Sequence, residues 1–103
     1  MKENTTDVVI IEDKLELTLY ISGMSQKSME AIRNIKWLCD KHLKDAFELE
    51  IIDIYKNPKL ALEQHIVFSP SLLKKLPLPK RTLVGTLSDT EKVLKSLGIT
   101  TEK

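Results

Sequence analysis

Cys39 is the single thiol of the chain, and His42 and His65 are its only imidazoles, so little side-chain chemistry is open to it. A thiol enzyme needs its cysteine at a helix N-terminus, where exposed amides and the helix dipole stabilise a thiolate. The turn before the first helical segment instead reads Gly23-Met24-Ser25-Gln26-Lys27-Ser28. Cys39 falls far down that segment on its apolar stripe, where burial would raise its pKa and hide the sulfur. A core thiol is the favoured reading, and redox catalysis is excluded. The histidines stand in no spaced cluster with cysteine or carboxylates, so no metal site is expected. Gly23, Gly85 and Gly98 are the only glycines, which leaves no phosphate-cradling loop and implies no nucleotide cofactor. Asp53 ends an apolar strand with no accompanying base or nucleophile, so a capping or turn role suits it better than catalysis.

The remaining candidates are for contact rather than reaction. Lys74, Lys75, Lys80 and Arg81 bracket the Pro77/Pro79 turn. They could meet an acidic protein surface or an anion, or form a solvated hairpin tip. Trp37 lies off the stripe of its helix, since at about 100° per residue it points well away from Ile32, Ile35, Cys39 and Leu43. Tryptophan is enriched at interface hot spots, and the other reading is packing under the N-terminal extension or a loop.

The elements that position these residues follow from periodicity. Residues 15–21 alternate apolar with polar and are rich in strand formers. Ser22-Gly23 breaks the strand, and Ser25 or Ser28 can cap a helix running to about Leu43. Residues 47–54 form a second strand, alternating at first and then continuously apolar, so its later part is expected deeper in the sheet. Pro58 suits the first turn of a short helix over 59–64. After Ile66-Val67-Phe68 and Ser69-Pro70, residues 71–75 form a short strand, 76–79 turn, and 81–85 return antiparallel. Ser88-Asp89-Thr90-Glu91 has the capping-box pattern and opens a helix through Leu97. The order is β-α-β-α-β-β-α with a mixed four-stranded sheet, the order of thioredoxin-like folds. Such folds commonly place a cis-proline before the third strand. The analogy marks Ser69-Pro70 as cis, a peptide-binding or conformational hinge, against the plainer reading of a strand-starting proline.

At 103 residues the chain makes one domain, divided here into an extension over 1–13 and a folded unit over 14–103. Within the extension, Val8-Val9-Ile10-Ile11 is expected to pack locally or at an oligomer contact. With 16 basic against 15 acidic residues there is no electrostatic footprint for nucleic acid or an anionic membrane. That tetrad is the longest apolar run, too short for a membrane span. The lone cysteine fits a reducing cytoplasm.

Several ordered motifs resemble the KaiB family of circadian clock proteins. They are Leu19-Tyr20-Ile21-Ser22-Gly23, Ile52-Asp53-Ile54-Tyr55-Lys56-Asn57-Pro58, Ser69-Pro70-Ser71-Leu72, Lys75-Leu76-Pro77-Leu78-Pro79, and Gly85-Thr86-Leu87-Ser88-Asp89-Thr90-Glu91-Lys92-Val93-Leu94. The resemblance implies a non-enzymatic protein that binds and regulates a hexameric RecA-type ATPase, KaiC, in a circadian or stress-response system. It also implies self-association as a dimer or tetramer. Clock members interconvert between a ground-state fold, β-α-β-β-α-α-β, and a thioredoxin-like fold that binds the ATPase. Ser96 and Gly98 stand where clock members carry a glycine and an aspartate, and Leu15 and Thr101 where they carry tyrosines. Met24-Ser25-Gln26 replaces an asparagine-threonine-proline run. These departures imply the thioredoxin-like arrangement at rest. Motif position and expected exposure select Lys56, Asn57, Lys59, Lys74, Lys75 and Arg81 as partner contacts, with Trp37 as a further interface candidate. A second reading is a redox-inactive thioredoxin-like stress or peptide-binding adaptor acting near Pro70.

The missing cysteine before the first helix has a direct consequence. Reduction of insulin disulfides by this protein should not exceed that of its Cys39→Ser variant, and turnover lost on that substitution would contradict the assignment.

Overall fold

The computed structural model describes residues 14–43 and 46–99. The 1–13 extension with its Val8-to-Ile11 run, and Thr101, lie outside the described residues. Strand β1 (Leu15–Ile21) leads through a glycine turn into α1 (Gln26–Leu38), which continues as a π-helical turn, Cys39–Leu43. Then come β2 (Phe47–Asp53), α2 (Pro58–Glu63), β3 (Ser71–Leu76), β4 (Arg81–Val84) and α3 (Thr90–Ser96). The sheet order is β2-β1-β3-β4, with β1 parallel to β2 and the other two pairs antiparallel. This is the thioredoxin-like arrangement expected from the pattern, not the alternative ground-state order.

The period-2 alternation of β1 sends its side chains to two different layers. Leu15, Leu17, Leu19 and Ile21 pack on one face against Ala31, Ile35, Leu38 and Cys39 of the first helical segment and Val93 and Leu94 of α3. Tyr20 points the other way and meets Ile52, Ala61 and Leu73 beneath α2. Leu19, Ile35 and Leu72 lose essentially all contact with water, a gain of about 1.5–3 kcal/mol for each side chain. The helical stripe therefore falls where the sequence placed it, with Ile32 only partly buried at its margin.

Two details differ from the sequence reading. The later half of β2 is not deep as a whole: β2 is an outer strand, and among its residues only Ile52 is buried, because α2 covers that one position. The N-cap of α3 is Asp89 rather than Ser88, its carboxylate accepting the Lys92 N–H at 3.2 Å. An aspartate caps as well as serine, and its charge also favours the positive end of the helix dipole. Ile66, Val67 and Phe68 form neither helix nor strand. Residues 81–84 are extended and 90–96 helical, as the capping pattern and Gly98 predict.

Asp89→Ala should therefore cost about 1 kcal/mol, which lowers the melting temperature of a domain this size by roughly 4–8 °C. Ser88→Ala should leave it almost unchanged, and the reverse ranking in thermal melts would restore the box as first read.

Candidate partner-binding surface

One end of the sheet gathers the C-terminal ends of β1 and β2 and the start of β3, since Tyr20 is level with both Ile52 and Ser71 and Ile21 with Asp53. There the Asp53 carboxylate performs the turn role. Its Oδ1 accepts the N–H of Gly23 and the N–H of Tyr55, each at 3.0 Å, tying the β1–α1 turn to the β2–α2 turn. Gly23 holds φ +62°, and the Tyr55 ring lies 3.5 Å from where its Cβ would be. A side chain there would be strained by the backbone, although its Cβ would meet the ring only in ordinary van der Waals contact.

The position a redox enzyme would give to its thiol holds hydroxyls. Ser25 caps α1 by accepting the Ser28 N–H at 3.2 Å and donates its own hydroxyl to Ser28 Oγ at 2.9 Å. Ser28 Oγ in turn accepts the Ser22 N–H at 3.2 Å, and Ser28 is fully buried. The two serines thus satisfy the helix start and the turn before it, and neither is aimed at a substrate. Cys39 is also fully buried, at the far end of the same helical segment, where burial and then the Asp40 carboxylate push its pKa up to about 12. At neutral pH that sulfur is a core thiol. Burial, then Glu50 and Glu63, raise the Tyr20 hydroxyl above its ordinary value as well. Among the described residues no group of three or more histidines, cysteines or carboxylates could hold a metal ion.

The Ser69–Pro70 bond is cis, as are Leu76–Pro77 and Leu78–Pro79. Pro70 is buried and its carbonyl accepts the Gly85 N–H at 2.9 Å. Ser69 donates to the Tyr20 carbonyl at 3.4 Å, and the Ser71 hydroxyl bonds the Phe68 carbonyl. The segment before the proline is thereby pinned to β1 while its side chains turn outward. Val67 is 80% exposed and Phe68 65%; at the same end Tyr55 is 73% and Met24 70% exposed. Four large apolar side chains thus form a rim open to water, and such exposed apolar groupings mark interaction sites. Sequence reasoning missed this rim. Its signal was an apolar tripeptide wedged between a short helix and a constrained proline.

The contact candidates divide. Lys56, Asn57 and Lys59 are exposed on the β2–α2 turn beside the rim. Asn57 is oriented by donating Nδ2–H to the Asp53 carbonyl at 3.4 Å. Arg81 is exposed and Lys75 half-buried, but both lie toward the opposite end of the sheet, about 13 Å away along strands rising ~3.3 Å per residue. Lys74, chosen for exposure, is only 4% exposed. It alternates with Leu72 on the helix-covered face of the inner strand β3, so it is not a surface contact. Trp37 does point outward, 52% exposed on the outer side of α1. It is also at the far end from the rim. The structure therefore makes two surfaces from what the sequence presented as one set.

A model of the KaiB domain matches residues 18–99. The circadian clock protein KaiB3 of Synechocystis sp. is 42% identical over 90 residues, covering 87% of this chain and 88% of that protein. The circadian clock oscillator protein KaiB of Synechococcus elongatus is 41% identical over 83 residues, covering 81% of each. Among solved structures, the N-terminal domain of SasA from Synechococcus elongatus superposes with a TM-score of 0.72 at 19% identity, covering 91% of this chain and 92% of that one. The Drosophila thioredoxin Deadhead superposes at 0.68 and 17% identity, covering 84% and 81%. The last two likenesses concern the fold.

Replacing Asp53 by alanine leaves the Gly23 and Tyr55 amides without their shared acceptor, at a cost of about 1–3 kcal/mol. Amide hydrogen exchange at Gly23 and Tyr55 should accelerate while the β1–β3 ladder stays protected; unchanged exchange at both would show that the carboxylate does not hold the turns.

Proposed function

This chain belongs to the KaiB family, and from that premise we propose that it is a non-catalytic docking protein that binds and regulates a KaiC-like RecA-type ATPase. The observation that carries the reading is the exposed rim of Met24, Tyr55, Val67 and Phe68, which occupies the end of the fold where a thiol enzyme would keep its reactive cysteine. With Ser25 capping that helix, Ser28 tied to the turn before it and Cys39 buried, the end serves contact and no bond-making step. Apolar side chains supply affinity through desolvation, and Lys56, Asn57 and Lys59 beside them supply orientation and encounter rate. Regulation then follows from occupancy, since a ligand shifts a partner only by its differential affinity for the partner's states. Among the described residues no helix is long and apolar enough to cross a membrane. We place the protein's action in the cytoplasm, in a circadian or stress-response system.

A second reading rests on exposed Val67 and Phe68 beside the buried Pro70 at the start of β3. It is a redox-inactive thioredoxin-like adaptor that binds extended apolar peptides.

Co-purification separates the two. The wild-type chain should retain a KaiC-like ATPase, and Tyr55→Ala combined with Phe68→Ala should weaken that binding tenfold or more, about 1.4 kcal/mol per tenfold. Lys75→Ala and Arg81→Ala, at the opposite end, should change it little. Recovery of mixed unfolded polypeptides in place of an ATPase would favour the adaptor.

A further inference from the structure

Among the described residues Lys74 is the only buried side chain that carries a charge; the other buried polar groups are Thr18, Ser28 and Ser71. Ser28 and Ser71 have hydrogen-bond partners close by in the chain. Lys74 is placed differently. It belongs to β3, which is paired on both sides, and its register neighbours are Leu17 on β1 and Arg81 on β4. Leu17 is part of the apolar core, so that side offers the ammonium nothing polar. On the other side stands a second cation. Residues directly opposite in an antiparallel pair share a face, with Cβ atoms about 4.5–5.5 Å apart, and like charges so placed weaken the pairing. A charge removed from water costs more still unless an opposite charge meets it.

The surroundings sharpen the point. Immediately beyond Lys74 the β1–β3 register shifts, with Lys75 as the extra residue, so the ladder loosens beside the two charges. Lys80, the residue before Arg81, is drawn elsewhere: its Nζ donates to Gln64 Oε1 at 3.4 Å, next to the end of α2. Arg81 opens the outer strand β4 and is exposed, whereas Lys74 lies one strand further in. An accessible guanidinium beside a buried ammonium suits an anion that enters over the open edge of β4. A carboxylate would bring one charge to two cations. A phosphate group brings about −1.5 to −2 at neutral pH and three strong acceptor oxygens. The planar guanidinium takes two such oxygens as a fork, and the ammonium meets a third as a point charge.

We propose that Lys74 and Arg81 together hold a phosphate group, free or as a small monoester, across the β3–β4 pair. The bound dianion offsets the repulsion between the two cations and fastens β4 to β3. This site shares no residue with the rim of Met24, Tyr55, Val67 and Phe68.

Titrating the isotope-labelled full-length chain with inorganic phosphate, against chloride at equal ionic strength, tests the assignment. Amide signals of residues 72–74 and 81–83 should move together and saturate, while those of Tyr55 and Phe68 stay in place. Phosphate should also raise the melting temperature in step with its concentration. Lys74→Met keeps the bulk of the side chain without its charge. It should abolish the saturable shifts and melt higher than wild type in phosphate-free buffer, because the like-charge pair is gone. Arg81→Gln, at an exposed position, should fold normally and bind phosphate about tenfold more weakly, with Arg81→Lys intermediate. O-phosphoserine as a second probe separates the sources: tighter binding than phosphate assigns the site to a monoester, weaker binding to the free ion. Shifts that do not saturate, or that persist in Lys74→Met and Arg81→Gln alike, would overturn the proposal. So would a lower melting temperature of Lys74→Met without phosphate, which would show the ammonium already paired within the chain.

Discussion

Strand β1 is hydrogen-bonded along both edges, parallel to β2 and antiparallel to β3, and this double pairing leaves its side chains no direction but the two packed faces. Leu17, Leu19 and Ile21 must then be covered by α1 and α3, and Tyr20 by α2. A parallel neighbour needs a crossover connection, which is why α1 intervenes before β2; an antiparallel neighbour needs only a hairpin, which is how β4 follows β3. The rest of the architecture is the consequence of satisfying one strand on four sides.

The same constraint creates the rim. Where β1 ends, its neighbours must also turn, and the backbone groups at those turns need acceptors. Asp53 supplies two bonds, Ser25 and Ser28 close the helix start, and Pro70 and Gly85 join the later strands. Polar side chains are used up in fixing the turns. Beyond them project the apolar side chains Met24, Tyr55, Val67 and Phe68, with exposed Lys56, Asn57 and Lys59 beside them. An end built this way has a fixed shape and an unsatisfied hydrophobic surface, a combination that lowers the ordering cost of binding. The chain's single thiol sits inside the core instead, where burial pushes its pKa up to about 12.

The opposite end differs in chemistry. There the basic hairpin residues Lys80 and Arg81 and the Trp37 face stand near the start of β1. A domain this small thus carries two surfaces about one strand length apart. One end can therefore be occupied without blocking the other.

The sequence by itself determined the element order, the inward stripe of α1, the buried thiol, the outward Trp37 and the proline before β3, because each depends on local period or on the analogy of order. It also placed Lys56, Asn57 and Lys59 on an exposed turn. It could not tell that Lys74 would be buried, because a strand residue's exposure depends on which neighbour lies beside it and what covers that face, and both come from distant segments. Ser88 and Asp89 were both competent caps, and only the path of the chain from Leu87 chose between them. The rim was hidden for the same reason: Met24, Tyr55, Val67 and Phe68 come from three separate connections, and only the sheet register brings them to one end. Short-range rules fixed what each segment is. The long-range pairing of β1 decided which side chains face water together.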